Sequence, residues 1–435
     1  MRRELYTKLL QWKDSTRRKP LLLRGARQTG KTYLLNEFGK REYESYVYIN
    51  FEKDPFINDF FAERLDAQEV IKNLSIYLGQ RIQPGKDLIF FDEIQASNKA
   101  LNSLKYFQEQ TPEYHIVAAG SLLGVTLSGP HSFPVGKVNF LDLYPLSFFE
   151  FLEAIGAQEY KELLQNTKNP TPYPEPLHKE LLRHLRSYYF TGGMPEAVNH
   201  YVSSGDLAEV REIHNEILGA YVLDFAKYAS GPDIPKLRMV WDSIPAQLSK
   251  ENKKFVFSAL KKNARKRDFE NAIQWLEKAG LIHRVRRVTT AKCPLKSYAE
   301  ENIFKMYTLD IGLLGALADI PASIIVHRDR VFKEFQGALV ENFVVQELKA
   351  NKEIELYYWE SQGTAEVDFV LEELGSIFPL EAKAGINPRS KSLKSFDQKF
   401  TPQHLGRTSQ LNLKWDGRIL NIPLYAVSLF PLPLK

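Results

Sequence analysis

An α/β fold with a parallel-sheet core is predicted by three observations near the start of the chain. Short apolar runs alternate with helical stretches between residues 20 and 150, a glycine-rich loop follows the first run, and a later run ends in two acids. Strands covered by helices on both faces read as continuous apolar segments, and a βαβα alternation is how such sheets are built.

The elements follow in order. Leu21-Leu22-Leu23, Tyr46–Ile49, Leu88–Phe91 and His115–Ala119 read as buried strands, with a last candidate at Val138–Leu143 before Pro145. From Leu146 to Ala157 the period turns helical, and a proline-rich loop spans Asn169 to Pro176. Residues 178–228 read as helices interrupted by Thr191-Gly192-Gly193-Met194-Pro195, a turn leading into another helix N-terminus. Ser230-Gly231-Pro232 is a breaker; residues 235–290 read as three short helices and a hairpin. Phe269–Gly280 has helical spacing with Gly280 as its C-cap, and Leu281–Val285 continues as a strand. After Pro321 come one long helix, about Val331–Ala350, and strands at 354–359, 366–371 and 377–384.

A length of 435 residues suggests about three domains at ~150 residues each. Hydrophobic residues at 44% and charged residues at 26% are the balance of a globular protein with several cores. No run approaches the ~18 apolar residues of a membrane helix, so no membrane partner is expected. Met1-Arg2-Arg3 leads into polar residues rather than a secretory signal, and the single Cys293 excludes an internal disulfide framework or a thiolate cluster. A cytoplasmic setting is the expectation.

Gly25-Ala26-Arg27-Gln28-Thr29-Gly30-Lys31-Thr32 matches the P-loop pattern in full, after the strand at 21–23 and opening a helix. Such glycines let backbone N–H groups wrap a β-phosphate, and the helix N-terminus adds favourable partial charge. Lys31 is expected to bridge the β- and γ-phosphates of ATP and Thr32 to bind Mg²⁺. Phe91-Asp92-Glu93 ends an apolar strand, which puts Asp92 near the Mg²⁺ shell and Glu93 in position to polarise an attacking water. Ser121 ends another strand and places a hydroxyl beside the same phosphates. Taken singly, Asp92 or Ser121 reads as a strand-end cap; the three elements in order read as an ATPase core.

With those motifs the chain resembles the prokaryotic AAA-type P-loop ATPases that carry a C-terminal domain of uncharacterised role. The resemblance includes Gly25–Thr32, Phe91-Asp92-Glu93, Ala119-Gly120-Ser121, Tyr144–Phe148 with Glu150-Phe151, and Gly192–Glu196. It continues through Trp275–Leu281, Tyr307–Leu314 and Glu341-Asn342-Phe343. It implies an AAA-like core (1–150), a helical lid (151–232), a winged-helix-like module (233–320) and a restriction-endonuclease-like α/β domain (321–435). At Val135-Gly136-Lys137 similar proteins often have arginine, so no arginine finger is assigned. AAA relatives often form rings, and an oligomer is compatible with the resemblance.

The net charge is +5, unevenly spread. Residues 250–290 hold twelve Lys/Arg against four acids, a local charge of +8 that leaves −3 elsewhere. Such a patch suggests a polyanion, with a solvated helical face as the plain alternative. In a winged helix Arg265, Lys266 and Arg267 would add backbone charge, and Arg284, Arg286 and Arg287 would carry a wing onto DNA phosphates. The same fold also serves protein contacts.

Glu341 lies on an apolar stripe with Ala338, Val344, Val345 and Leu348, where an unpaired carboxylate is costly. Downstream, a hairpin about Leu374/Gly375 pairs residues whose numbers sum to 749, so Asp368 faces Glu381 at a spacing suited to one shared Mg²⁺, with the Ala382 carbonyl as a further ligand. Lys383 falls on the same face. Glu341, Asp368 and Glu381-x-Lys383 are similar to the restriction-endonuclease-like active site, with no position replaced; a structural Glu–Lys pair is the alternative. His115, His131 and His184 show no ligand spacing and read as structural. The expected function is an ATP-hydrolysing switch or motor acting on nucleic acid; the rival is an ATP-gated protein-interaction switch with adaptor folds. A small-molecule kinase is disfavoured, because Glu93 beside Asp92 suits water activation and no acceptor motif stands out.

Overall fold

The computed structural model describes residues 1–61, 66–126, 136–322, 333–352, 354–385 and 390–432. The chain forms two compact units, Met1–Tyr144 with Lys278–Gly280, and Pro145–Glu277 with Leu281–Lys435.

The first unit is built on β1 (Leu21–Arg24), β2 (Ser45–Asn50), β3 (Asp87–Asp92), β4 (His115–Ala119) and β5 (Asn139–Asp142). They form one sheet in the order β2-β3-β4-β1-β5, with every pairing parallel. Alternation along each strand feeds two cores. Leu22, Ile89, Phe91, Ile116 and Ala118 pack on one face, and Leu21, Leu23, Leu88, Phe90, Val117 and Ala119 on the other. Both faces are dry, which is why these strands read as unbroken apolar runs. The helix Lys31–Glu42 buries Leu34, Leu35 and Phe38 against the second face.

The second unit begins with helices. Ser147 and Glu150 form a capping box at the start of Phe148–Ala154, which accounts for that Ser-x-x-Glu spacing. At Gly193 a side chain would meet the Leu146 carbonyl oxygen at 2.1 Å, and Leu146 donates its N–H to Gly193 O at 2.6 Å. The Gly-Gly turn is thus a close backbone crossing, and Pro195 opens the next helix. Asp310 accepts from the N–H of Gly193 (2.6 Å) and of Leu313 (3.0 Å). From the long helix Lys333–Lys352, Asn342 accepts the Thr308 N–H and Gln346 that of Ile311.

An eight-stranded mixed sheet completes this unit: β6 (Ile282–Val288), β7 (Ala299–Thr308), β8 (Tyr357–Glu360), β9 (Glu366–Glu373), β10 (Ser376–Ala382), β11 (Leu405–Ser409), β12 (Lys414–Asp416) and β13 (Ile419–Pro423). Their order is β12-β13-β11-β10-β9-β8-β6-β7. The helix Lys266–Lys278 followed by the β6–β7 hairpin has the winged-helix succession, but β6 also pairs in parallel with β8. The hairpin is therefore not a free wing; it is continuous with the sheet that carries the C-terminal carboxylates. β9 and β10 pair with residue numbers that sum to 749, from Ser376↔Glu373 to Leu380↔Phe369. Leu374 and Gly375 both take positive φ, +50° and +75°, the backbone of a two-residue type I′ turn. Among the described residues no helix is long and apolar enough to cross a membrane.

Phe91 is fully buried and meets the rings of Phe51, Phe61 and Phe107. Phe91→Ala is expected to cost about 3–5 kcal/mol of the first unit's stability, measurable by denaturant unfolding.

Candidate functional site

β1 leads into the loop at the carboxyl edge of the first sheet, where open parallel sheets bind ligands. Gly25 has φ +147°, and a Cβ there would meet the Leu143 carbonyl oxygen at 2.2 Å, so no larger residue fits. Ala26 and Thr29 are buried, Arg27 and Gln28 exposed, and Gln28 holds a left-handed φ of +66°. Thr29 Oγ1 donates to Ala26 O at 2.9 Å, and Gly30 caps the helix that starts at Lys31. Arg3 pins the loop by donating to Thr29 O at 2.9 Å and to Tyr144 O at 2.5 Å.

Lys31 is buried, its ammonium donating to Gly25 O (2.9 Å) and Ala26 O (2.7 Å). Burial pulls its pKa down to about 8, against the opposing pull of Glu93 and Asp92. Thr32 Oγ1 lies 3.1 and 3.3 Å from the two Asp92 carboxylate oxygens. A hydroxyl and a carboxylate this close, beside a helix N-terminus, fit a hard divalent cation shared with phosphate oxygens. Tyr48 O–H donates to Asp92 Oδ2 at 2.8 Å and holds that carboxylate from β2. Glu93 follows in a left-handed conformation, φ +49° and ψ +41°, and its side chain accepts from Gln95 Nε2 at 2.5 Å. Ser121 is buried just beyond β4, the strand between β3 and β1. The expected residues thus follow three adjacent strands at one edge. Arg3, Tyr48 and Gln95 were not expected: no motif marks them, and the contact of Arg3 with Tyr144 spans 141 residues.

The basic window is largely self-neutralised. Arg284 is 6% exposed and pairs with Glu277 and Glu270. Arg286 pairs with Glu301 at 3.0 Å; Arg287 pairs with Glu300 at 2.5 Å and Glu360 at 2.9 Å. These three arginines are therefore corrected from phosphate contacts to intramolecular ion pairs, because the helix Lys266–Lys278 brings Glu270 and Glu277 to Arg284 and β7 brings Glu300 and Glu301 to Arg287 and Arg286. Lys266 bonds Asn302 at 2.7 Å, whereas Arg265 and Arg267, like Lys261 and Lys262, are exposed. Lys137 pairs with Glu109 at 2.9 Å. His115 shares a 2.8 Å hydrogen bond with Tyr43, and His184 packs on the Tyr160 ring. His131 and Val135 lie outside the described residues.

In the second unit Glu341 and Asp368 meet at a group the motif did not include, and Glu381 pairs with Lys383 on either side of the Ala382 amide that Asp368 accepts. Lys305, on β7 and fully buried, puts its ammonium 2.6 Å from Glu366 Oε1, 3.5 Å from Glu341 Oε2 and 3.8 Å from Asp368 Oδ1. Glu341 also pairs with Lys253 at 2.5 Å and accepts from Tyr307 O–H at 2.7 Å. Asp368 Oδ2 accepts the Ala382 N–H at 2.9 Å, and Glu381 Oε1 pairs with Lys383 at 2.9 Å. Burial alone would raise the Glu341 pKa, but Lys305 and Lys253 hold it down at about 2; burial and the Glu341 charge push Asp368 up to about 6. Burial opposes the Lys305 charge, yet Glu341, Glu366 and Asp368 together hold its pKa above the ordinary lysine value. Among the described residues no group of three or more His, Cys, Asp or Glu side chains is arranged to hold a metal. The one sequence signal for Lys305 is a lysine set inside the apolar run Phe304-Lys305-Met306-Tyr307.

Comparison with known proteins agrees with the first unit's architecture. Residues 17–152 match the family described as AAA domain. Residues 182–323 and 336–427 match two domains of unknown function, DUF8612 and DUF4143. No curated protein matches. Among solved structures, a Walker-type ATPase of Pyrococcus abyssi is 16% identical, with 73% of this chain and 95% of that chain covered at a TM-score of 0.45. The ORC1 protein of Aeropyrum pernix in complex with DNA is 16% identical, covering 74% and 92%, at 0.29. AMPPCP-bound DnaA from Aquifex aeolicus is 15% identical, covering 63% and 86%, at 0.27. The AAA domain match thus falls on the unit that carries the Gly25–Thr32 loop.

If Lys31 is the phosphate-binding cation, nucleotide affinity falls as the pH rises from 7 to 9. Its ammonium is charged below about 8 and lost above. A fluorescent ATP analogue titrated across that range checks this; affinity unchanged to pH 9 contradicts it.

Proposed function

We propose that the chain binds ATP with Mg²⁺ at Gly25–Thr32 and hydrolyses it. The observation that carries this reading is the Thr32–Asp92 contact with Glu93 next in the chain, all at the carboxyl edge of a parallel sheet. Lys31 would leave the loop carbonyls for the β- and γ-phosphates, and Ser121 would offer its hydroxyl to the same phosphates. Bound Mg²⁺ would supply charge neutralisation between the phosphate oxygens. Glu93, held by Gln95, would orient and polarise the attacking water once it turns from that amide. Lys31→Ala is expected to weaken ATP binding about 30-fold or more. Glu93→Gln should still bind ATP but hydrolyse it ~10²–10⁴-fold more slowly. Calorimetry and phosphate release measure the two effects separately.

The proposed output is nucleic-acid binding through the exposed Lys261, Lys262, Arg265 and Arg267, at and before the helix Lys266–Lys278. Each lost phosphate contact lowers the salt slope by roughly 0.9. Arg265→Ala with Arg267→Ala should therefore flatten the salt dependence of duplex binding. Arg284→Ala should lower the melting temperature and leave that dependence unchanged, since Glu277 and Glu270 already hold its guanidinium. A second reading, an ATP-gated protein-interaction switch with adaptor folds, is favoured by the internal pairing of Arg284, Arg286 and Arg287. ATP hydrolysis indifferent to added DNA supports that second reading, and stimulation supports the first.

A further inference from the structure

A restriction-endonuclease-like arrangement calls for a divalent cation between its acids, and the residues around Asp368 do not fit one. The place between Glu341, Glu366 and Asp368 is taken by the Lys305 ammonium, within 3.8 Å of all three. We infer that Lys305 is the permanent counter-cation of this cluster and that the native domain takes no divalent metal there.

Three observations carry the inference. The first is charge: four carboxylates (Glu341, Glu366, Asp368, Glu381) meet three ammonium groups (Lys253, Lys305, Lys383), which leaves little negative charge to attract a dication. The second is anchorage. Lys305 projects from mid-strand between buried Phe304 and Met306, with the Tyr358 ring 5.1 Å from its ammonium. Withdrawing it would remove the cation that Glu341, Glu366 and Asp368 share, and retaining it sets an entering dication against a fixed positive charge in a low dielectric. The third is ligand supply. Glu341 and Asp368 spend oxygens on Tyr307 and on the Ala382 N–H, and Glu381 Oε2 is the acidic oxygen of the cluster that is buried without a hydrogen-bond partner. A dication held through Glu381 Oε2 and Asp368 Oδ1 would stand against the Lys305 ammonium, which lies 3.8 Å from the latter. The Ala382 amide bond to Asp368 further ties the two strands whose carboxylates a metal would have bridged.

The inference concerns the second unit alone and stands whether or not the first hydrolyses ATP. Its test is a Mn²⁺ titration of the full chain followed by electron paramagnetic resonance, with Asp92→Asn included to remove the carboxylate of the phosphate site. With Lys305 in place, no saturable sub-millimolar Mn²⁺ site is expected; in Lys305→Met one such site should appear, and adding Asp368→Asn should abolish it. A saturable site in the chain that retains Lys305 overturns the inference. So does a folded Lys305→Met chain that binds no Mn²⁺, because the lysine is then not what excludes the metal. Should Lys305→Met fail to fold, the Lys305-containing chain still decides the matter by its own titration.

Discussion

Lys31 and Lys305 are both buried, and the counter-charge each one meets governs what its surroundings can do. An ammonium removed from water must recover its solvation from dipoles or from opposite charge. Lys31 finds two loop carbonyls, with Asp92 and Glu93 further off, and burial wins: its pKa falls to about 8. Lys305 finds three carboxylates, and they win over burial. The first cation is under-compensated, and the proposed phosphate binding would draw on that. The second already faces three carboxylates, and a further cation would have to compete with it for them.

The same constraint runs through the rest of the second unit. Arg284 is buried and survives there by pairing with Glu270 and Glu277, so a basic stretch that looks like a polyanion patch becomes largely an internal ion-pair network. Asp310 pairs with no cation among the described residues; the amides of Gly193 and Leu313 and the Gln346 side chain partly offset the burial that raises its pKa to about 6. The motifs that carry the resemblance in this unit converge here. The Gly-Gly turn, the Thr-Leu-Asp segment and the Glu-Asn pair join three helices and a strand through buried hydrogen bonds.

The Thr32–Asp92 contact, by contrast, commits polar groups at a sheet edge and leaves them turned to a loop of backbone. Tyr48 and Arg3 steady that arrangement from outside the motif, one holding the carboxylate and the other the loop. On the proposed reading, small displacements of either would misplace the phosphates relative to Glu93, and positional errors of that kind are costly in catalysis.

Local chemistry was enough for much of this. The P-loop, the strand that ends in Asp92-Glu93, and the hairpin register from Ser376↔Glu373 to Leu380↔Phe369 depend on residues close in the chain. A glycine with positive φ, an apolar run or a two-residue turn acts over a few positions, so it is legible in the residues themselves. Which charges cancel was decided only by tertiary structure. Lys253 reaches Glu341 across 88 residues, and Lys305 arrives among the acids because β7, β6, β8 and β9 lie in one sheet. Electrostatic pairing depends on distance in space, and a linear pattern carries no term for that.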